Sequence, residues 1–224
     1  MIRALLFDFD GLLVDTESPS FAAWADVYRQ HGHELTIDTW SAAIGTLEGF
    51  NPFEDLEARL GRPLDRERVN EARRAVEEAA AELEELRDGV REYLDEAERL
   101  GLARAIVSSS GNEWISRHLD RLDLLEGWSC IVAANGDATR AKPRPTLYLE
   151  ALERLAVAAD EAIAFEDSPN GITAAKAAGL YCVAVPNPTT AALDVTHADL
   201  IVRSLEEVPL TELLRRVEED QAAR

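Results

Sequence analysis

The chain has 224 residues, of which 46% are hydrophobic and 29% are charged, and its formal net charge is −20. This length is enough for one large domain or for a core with a smaller insert. With 12 glycines and 9 prolines, the composition excludes collagen-like and low-complexity chains. The excess of acidic residues argues against nucleic acid or an anionic membrane surface as a partner.

The sequence also indicates a cellular compartment. No apolar run reaches the roughly 18 residues that suggest a transmembrane helix, and the first residues lack the pattern of a signal peptide. The two cysteines, Cys130 and Cys182, lie in apolar, strand-like runs, which indicates reduced structural thiols. We therefore expect a cytoplasmic protein and take a monomer as the default state.

The first predicted element is a strand at Arg3–Phe9. Five later runs are also short, apolar and bounded by turn residues: Ala103–Ser108, Ser129–Ala134, Ala162–Glu166, Tyr181–Val185 and the weaker Asp199–Val202. Stretches with helical periodicity lie between or after the later runs: Glu113–Leu122, Leu147–Ala156, Gly171–Ala178 and Leu210–Glu218. This alternation predicts an α/β fold with a parallel, Rossmann-like sheet that has helices on both faces. Ligands of such sheets bind at the carboxyl ends of the strands.

The interval between the first two strands is far longer than the dozen or so residues that one crossover needs. Its patterns are helical and include a long stretch rich in Ala, Glu and Arg at Asp65–Leu86. The crossover helix itself is predicted at Val90–Leu100. We therefore predict an all-α cap domain at residues 16–87, inserted into a core domain formed by residues 1–15 and 88–224. Such an insert lies beside the binding edge and can act as a lid.

Two acidic residues, Asp8 and Asp10, end the first strand. Because they are two positions apart, their side chains point the same way. Two like charges held close are costly unless one is protonated or a cation lies between them. Gly11 then permits a tight turn of the backbone. Turn formation and helix capping are the structural alternative for such a pair.

The second strand runs into Ser108 and Ser109 before a predicted helix. A hydroxyl group and free amides at a helix N-terminus make an anion site, although ordinary N-capping would explain the same residues. A loop after the third strand carries Lys142, one of only two lysines among the 23 Lys and Arg residues. Its compact ammonium group suits a phosphate.

Two adjacent carboxylates, Glu166 and Asp167, close the fourth strand ahead of a predicted helix start. Capping explains one of them but gives no reason for two at the binding edge. The ends of the first four strands, with the loops that follow them, therefore supply two acids, two hydroxyl groups, a lysine and two further acids, in that order. Hard oxygen ligands near a phosphate point to Mg²⁺, and the sequence contains no cluster of Cys and His that would favour zinc.

These four segments, in this order and with a helical insert after the first strand, resemble the haloacid dehalogenase-like (HAD) hydrolase superfamily. The resemblance covers essentially the whole chain and is closest to the phosphosugar phosphatases and the β-phosphoglucomutase group. It implies a Mg²⁺-dependent phosphatase that hydrolyses a small phosphorylated metabolite of the sugar-phosphate type through an aspartyl-phosphate.

The resemblance also implies roles for the matching residues. Asp8 would be the nucleophile and Asp10 the general acid/base. The hydroxyl group of Ser108 and the amide of Ser109 would bind the phosphoryl oxygens. Lys142 would bridge the phosphate and the nucleophile.

The implied metal ligands overlap with these residues. Mg²⁺ would be held by the Asp8 carboxylate, the backbone carbonyl of Asp10 and Asp167. Glu166 would bind the metal either directly or through water. At an effective dielectric of ~20, one unit charge at 4 Å is worth ~4 kcal/mol, so nearby cations can offset the repulsion between a carboxylate and a phosphate.

Other activities were compared with the same sequence features. A haloacid dehalogenase proper lacks the second aspartate, so Asp10 argues against it, and a phosphonoacetaldehyde hydrolase needs a cap lysine, whereas residues 16–87 contain none. A phosphomutase of the β-phosphoglucomutase type remains an alternative, although its first cap helix carries a histidine where this chain has Ser20. A protein that binds a phosphorylated metabolite without catalysis is the third hypothesis.

Substrate selectivity is expected from residues at the junction of cap and core. The candidates are Glu17, Ser20, Trp24, Thr46, Leu47 and Asn51 in the cap, with Asn112 and Trp114 in the core. Core packing of an amphipathic helix is the alternative for Trp24. The scarcity of cap cations favours a monophosphate whose leaving group is neutral.

Overall fold

A six-stranded parallel sheet lies at the centre of the structure, a computed structural model that describes residues 1–47 and 49–222. The strands are β1 (Ala4–Phe7), β2 (Ala103–Ser108), β3 (Cys130–Ala133), β4 (Ala162–Glu166), β5 (Tyr181–Ala184) and β6 (Leu200–Ile201). Their order is β3-β2-β1-β4-β5-β6, and every neighbouring pair is parallel. The predicted α/β class is confirmed, and each strand lies within one of the predicted runs.

Helices lie between these strands and after the last of them. Within the described residues they are α1 (Glu17–Gln30), α2 (Ile37–Trp40), α3 (Pro52–Leu60), α4 (Arg66–Ala81), α5 (Val90–Arg99), α6 (Asn112–Arg121), α7 (Thr146–Leu155), α8 (Pro169–Ala177) and α9 (Leu210–Ala222). Short 3₁₀ turns lie at Ser41–Ala43, Ala159–Glu161 and Leu205–Glu207. The predicted helices of the second half are present, and their ends differ from the prediction by at most four residues.

The sheet is buried on both faces because its strands are apolar throughout. In β1, Leu5 and Phe7 pack with the apolar sides of α5, α6 and α9, whereas Ala4 and Leu6 pack with α7 and α8. The alternation follows from the period of two along a strand. The prediction of helices on both faces is therefore confirmed.

Helices α1 to α4, which lie between β1 and α5, pack around an apolar cluster of their own. Its buried members are Trp24, Val27, Tyr28, Leu35, Trp40, Ile44 and Leu56. The long predicted stretch at Asp65–Leu86 is helical only as far as Ala81. Beyond it the chain returns to the sheet in extended form, where Leu86 forms an isolated bridge with Val14 and the Arg87 amide donates to the Leu13 carbonyl.

The register of the sheet decides which strand ends meet. Phe7 pairs with Ile106 of β2 and with Phe165 of β4. The residues that follow these three strands therefore emerge side by side at the carboxyl edge of the sheet. Among the described residues, no helix is long and apolar enough to cross a membrane.

Candidate active site

A buried lysine stands at the centre of the carboxyl edge. The Nζ atom of Lys142 lies 2.5 Å from Asp8 Oδ1 and 2.7 Å from Glu166 Oε1, and all three side chains are buried. The hydroxyl group of Tyr148 donates a hydrogen bond to the same Glu166 oxygen. Buried ions are costly unless they are paired, so this arrangement holds one cation between two anions.

Burial and charge act together on these groups. Burial, with the adjacent charge of Glu166, raises the pKa of Asp8 to about 8, although Lys142 opposes the shift. Burial and the charges of Asp8 and Glu166 also raise the pKa of Asp167 well above its usual range. Burial alone would lower the pKa of Lys142, but the charges of Asp8 and Glu166 hold it above its ordinary value. The carboxylates therefore outnumber the cations that neutralise them.

Three of these acids form a group that could hold a metal ion. Carboxylate oxygens of Asp8, Glu166 and Asp167 all lie within 4.8 Å of one another. The Oε2 atom of Glu166 is buried and has no hydrogen-bond partner among the described residues. An orphaned carboxylate oxygen beside two further hard oxygen donors is the donor set that Mg²⁺ prefers. The side chain of Asp10 is not a member of this group.

The Asp10 carboxylate is instead held by four donors. Thr16 Oγ1 and Trp114 Nε1 each donate to its Oδ1 at 2.8 Å. Ser108 Oγ and Ser110 Oγ donate to its Oδ2 at 3.2 Å and 2.5 Å. These bonds fix the orientation of the carboxylate between the start of α1 and the loop that leads into α6.

A small cavity of about 90 Å³ lies beside Asp8. The strand ends and the loops beyond them contribute Asp8, Ser108–Ser110 and Lys142 to its lining, and the loop after the 3₁₀ turn Ser41–Ala43 contributes Gly45–Leu47. The Ser109 hydroxyl donates to the Gly45 carbonyl at 3.1 Å and accepts from the Lys142 amide at 3.2 Å. The structure therefore leaves a space between the strand ends and this loop.

The residues predicted to select the substrate divide into two groups. Glu17 and Ser20 line a larger neighbouring cavity, and Thr46 lines the small one. Asn51 is not brought to either cavity, because its side chain caps α3 by accepting from the Phe53 and Glu54 amides. Asn112 is also outside both cavities.

Three further predicted residues are placed as follows. Leu47 lines the small cavity and Trp114 lines the larger one. Trp24 belongs to the apolar cluster of helices α1 to α4, as its alternative interpretation as a packing residue predicted.

Sequence reasoning missed two residues, Asn187 and Arg87, that bind Asp167 and the backbone of the turn at Gly11. The Asn187 side-chain amide donates to Asp167 Oδ2 at 2.7 Å and to the Gly11 carbonyl at 3.1 Å. The guanidinium of Arg87 donates to the same Gly11 carbonyl and to the carbonyls of Val185 and Pro186. The position of Asn187, just beyond the end of β5, is a signal that could have identified it.

The turn after Asp10 needs a glycine. Gly11 has φ +80°, and a Cβ atom there would lie 2.4 Å from Asp167 Oδ2 and 2.5 Å from Asn187 Nδ2. The turn can therefore pass close to the acids only if residue 11 has no side chain. This agrees with the sequence-based prediction of a tight turn after β1.

Comparison with known proteins gives consistent matches. Residues 5–185 match the haloacid dehalogenase-like hydrolase family. The chain is 42% identical over 214 residues to YhcW of Bacillus subtilis, which is named as a phosphatase, covering 96% of this chain and 97% of that protein. It is 32% identical over 182 residues to a phosphorylated carbohydrates phosphatase of Thermotoga maritima, covering 80% and 82% of the two.

A solved structure of similar shape carries a ligand. CbbY of Rhodobacter sphaeroides in complex with xylulose-(1,5)bisphosphate has a TM-score of 0.74 and 26% identity to this chain. The match covers 95% of this chain and 99% of that one.

Proposed function

Since the chain belongs to the haloacid dehalogenase-like hydrolase family, we propose that it is a Mg²⁺-dependent phosphatase that acts through an aspartyl-phosphate. The chain is a phosphatase by this membership and by its likeness to phosphatase relatives. Its substrate is proposed to be a small phosphorylated metabolite of the sugar-phosphate type, in keeping with the relative that acts on phosphorylated carbohydrates.

The observation that carries this proposal is the contact of buried Lys142 with both Asp8 and Glu166. A carboxylate can approach a phosphate only if the repulsion between the two anions is offset. At an effective dielectric of ~20, a unit charge at 4 Å contributes ~4 kcal/mol. Lys142 supplies one such charge at the edge of the small cavity, where the phosphoryl group would lie.

The proposed reaction has two steps. First, an oxygen of Asp8 forms a bond to phosphorus while the bond between phosphorus and the alcohol oxygen breaks, and Asp10 gives a proton to that oxygen. Then Asp10 takes a proton from water, whose oxygen attacks phosphorus and breaks its bond to Asp8. Ser108, the Ser109 amide and Lys142 would hold the phosphoryl oxygens throughout.

Mg²⁺ fits the acids of this site. Asp8, Glu166 and Asp167 would hold it with their carboxylates, and Asp10 with its backbone carbonyl. When bound, it supplies positive charge that offsets the repulsion between the nucleophile and the phosphate. The orphaned Glu166 oxygen and the raised pKa values of Asp8 and Asp167 support a cation at this position.

The cap is part of the proposal. We propose residues 16–87 as the cap domain and residues 1–15 with 88–224 as the core domain. The separate apolar cluster of the cap supports this division. Its loop at Gly45–Leu47 lines the small cavity, where a closed cap would exclude water. We also propose a monomer that works in the cytoplasm, where its two free cysteines would stay reduced.

A direct test measures hydrolysis of p-nitrophenyl phosphate with Mg²⁺ and with a chelator. We expect turnover that depends on Mg²⁺ and is lost in Asp8→Asn, which removes the nucleophile but keeps its shape. Asp95→Asn, at an exposed position of α5, is the matched control and should keep wild-type activity. If a broad panel of phosphate esters shows no metal-dependent turnover, the chain is a binding protein and the proposal fails.

A second measurement tests the intermediate. In Asp10→Asn, the hydrolysis of the aspartyl-phosphate should slow more than its formation with a good leaving group. Mass spectrometry of the acid-quenched variant should then find one added phosphoryl group on the peptide that contains Asp8. Its absence during measurable turnover would contradict the covalent route.

A further inference from the structure

Asn187, in the loop that follows β5, uses every hydrogen-bonding group of its buried side chain. Its Nδ2 donates to Asp167 Oδ2 at 2.7 Å and to the Gly11 carbonyl at 3.1 Å. Its Oδ1 accepts from the backbone amides of Thr189 and Thr190 at 2.8 Å and 2.9 Å. Two donated and two accepted bonds are the full capacity of an asparagine side chain.

These partners also fix which way the Asn187 side chain faces. A backbone amide can only donate, so the side-chain oxygen must face Thr189 and Thr190. The NH₂ group must then face Asp167 and the Gly11 carbonyl. A flipped side chain would place its NH₂ group against two donors and its oxygen against a carboxylate. The loop backbone therefore holds the NH₂ group on Asp167.

The turn at Gly11 carries a second proposed ligand of the metal, the backbone carbonyl of Asp10. The Gly11 amide donates to the Val14 carbonyl at 2.7 Å. Because a peptide is planar and trans, this bond also sets the direction of the Asp10 carbonyl. The Gly11 carbonyl accepts from Asn187 Nδ2 and, at 2.6 Å, from Arg87 Nη1. Two donors therefore hold the turn that carries the Asp10 carbonyl.

Arg87 connects this turn to the loop that contains Asn187. Its Nη1 also donates to the Val185 carbonyl at 2.9 Å, and its Nη2 donates to the Pro186 carbonyl at 2.8 Å. These two residues immediately precede Asn187 in the chain. A guanidinium group is planar, so its donors keep a fixed geometry. One side chain therefore sets the spacing of the two loops that meet at Asn187.

Asp167 needs such a partner because its neighbours repel it. Asp8 and Glu166 act on it as like charges, and oxygens of the three acids lie within 4.8 Å of one another. Lys142 pairs with Asp8 and Glu166, whereas the donor from Asn187 is a neutral amide. A neutral donor holds the carboxylate without cancelling the negative charge that attracts a metal ion.

We propose that Asn187 is a positioning residue for Mg²⁺, which holds the Asp167 carboxylate ready for the metal, and that Arg87 supports it through the Gly11 carbonyl. This inference rests on the proposed Mg²⁺-dependent function. It assigns part of the metal affinity to two residues outside the group of acids. Hydrogen-bond partners of metal ligands typically contribute about 10–100-fold to metal affinity.

Calorimetric titration of the chelator-treated protein with Mg²⁺, without substrate, measures this affinity. Asn187→Ala and Asn187→Ser should each weaken binding about ten-fold or more. Serine keeps an oxygen that can cap the turn but lacks the NH₂ group. Thr190→Val is the matched control, because Thr190 Oγ1 accepts from the Asn187 backbone amide at 2.9 Å. It removes a bond of the same turn but none to Asp167, and should keep wild-type affinity.

The outcomes separate the inference from the proposed function. Wild-type affinity in the Asn187 variants, or an equal loss in Thr190→Val, overturns the inference and leaves the proposed function intact. Circular dichroism verifies folding, and Asn187→Ser decides if Asn187→Ala does not fold. If the wild-type chain binds no Mg²⁺ in the same titration, both the inference and the proposed Mg²⁺ dependence are refuted.

Excess metal gives a second readout. If Asn187→Ser has lost metal affinity, saturating Mg²⁺ should restore most of its turnover of p-nitrophenyl phosphate. Turnover that stays low at saturating Mg²⁺ would assign Asn187 a structural role and contradict the proposal.

Arg87→Lys tests the support through Gly11. Lysine keeps the positive charge, so a change in Mg²⁺ affinity reports the lost planar geometry. We expect a loss of about three-fold or more, within the range for partners of metal ligands or just below it. The double variant with Asn187→Ser should lose less than the product of the two single losses, because both donors act on one carbonyl. Losses that multiply in full would contradict the shared role of Gly11.

Discussion

Lys142 is completely buried and pairs with two buried carboxylates, Asp8 and Glu166. The chain's other lysine, Lys176, pairs with Asp199 at 2.6 Å but keeps 31% of its side chain exposed. When a partner is removed from an exposed ion pair, water can solvate the charge that is left. Water cannot reach a charge that is left in a fully buried pair. The two lysines therefore make a matched comparison of a buried and a part-exposed ion pair.

We predict that Lys142→Met lowers the free energy of unfolding by about 3–5 kcal/mol, because it leaves uncompensated carboxylates in the interior. Lys176→Met should cost about 1 kcal/mol or less. Urea unfolding of both variants in the presence of a chelator measures the difference. Equal losses would show that burial of the first pair has no special cost.

Glu17 shows how the acids of the site act on stability. Burial and the charges of Asp10 and Asp8 raise its pKa to about 8, from an ordinary value of 4.5. Between these two pH values the folded chain keeps a proton that the unfolded chain has lost. The contribution of Glu17 to the free energy of unfolding therefore falls as pH rises through this window.

Glu17→Gln should remove this dependence. Since one proton contributes at most about 1.4 kcal/mol per pH unit, we predict that the decline of unfolding free energy between pH 5 and pH 8 becomes shallower by up to that amount. Urea unfolding at four pH values, with chelator present, measures the slope. Glu113→Gln is the control and should keep the wild-type slope; an unchanged slope in Glu17→Gln would refute the prediction.

At the scale of single elements, helix α8 starts unusually close to the acids. Ser168 caps it by accepting from the Gly171 amide, and Pro169 occupies its first position. A Cβ atom at Gly171 would lie 1.8 Å from Glu166 Oε2. The first turn therefore requires a glycine for space, although glycine is a poor helix former.

The Gly171→Ala variant therefore distinguishes the effect of helix propensity on stability from the effect of side-chain packing. Helix propensity alone would stabilise the variant by up to about 1 kcal/mol, but the clash with Glu166 should instead destabilise it and reduce phosphatase activity at least ten-fold. Thermal unfolding and p-nitrophenyl phosphate hydrolysis measure the two effects. Gly32→Ala, where φ is +76° and no atom lies within 4 Å of the added Cβ, should cost about 1–2 kcal/mol through backbone strain without loss of activity.

Across the whole molecule, the loop after the 3₁₀ turn Ser41–Ala43 contacts the elements around the sheet through its backbone carbonyls. Asn170 Nδ2 donates to the Ile44 carbonyl at 2.8 Å, and Ser109 Oγ donates to the Gly45 carbonyl. Leu193, which follows β5, packs against the apolar cluster of helices α1 to α4. These contacts hold the loop over the small cavity.

We predict that Asn170→Ala loosens this loop. Loss of one hydrogen bond costs about 1 kcal/mol, so amide hydrogen exchange in residues 44–47 should accelerate about five-fold. Thr173→Ala, on an exposed position of the same helix, should leave that exchange unchanged. Wild-type exchange in Asn170→Ala would show that other contacts hold the loop.

The strands, the parallel sheet and the presence of a helical insert were predictable because they depend on local patterns. Apolar runs bounded by turns locate strands, and the long interval after β1 has room for additional helices. Helix ends were less predictable: α4 stops at Ala81 because the chain must return to Val14 and Leu13 in extended form. That requirement comes from the connection to the sheet and leaves no mark in helical periodicity.

The sequence by itself placed acids, hydroxyls and a lysine at four strand ends, because strand period and sheet direction decide which residues reach the binding edge. Only the tertiary structure decided which side chains touch. Lys142 pairs with Glu166 as well as with Asp8. Asn51 caps a helix, and Arg73 and Glu77 line the cavity beside Asp10. These contacts join residues far apart in the chain, and their distances depend on how the helices pack between and over the strands, which no local pattern encodes.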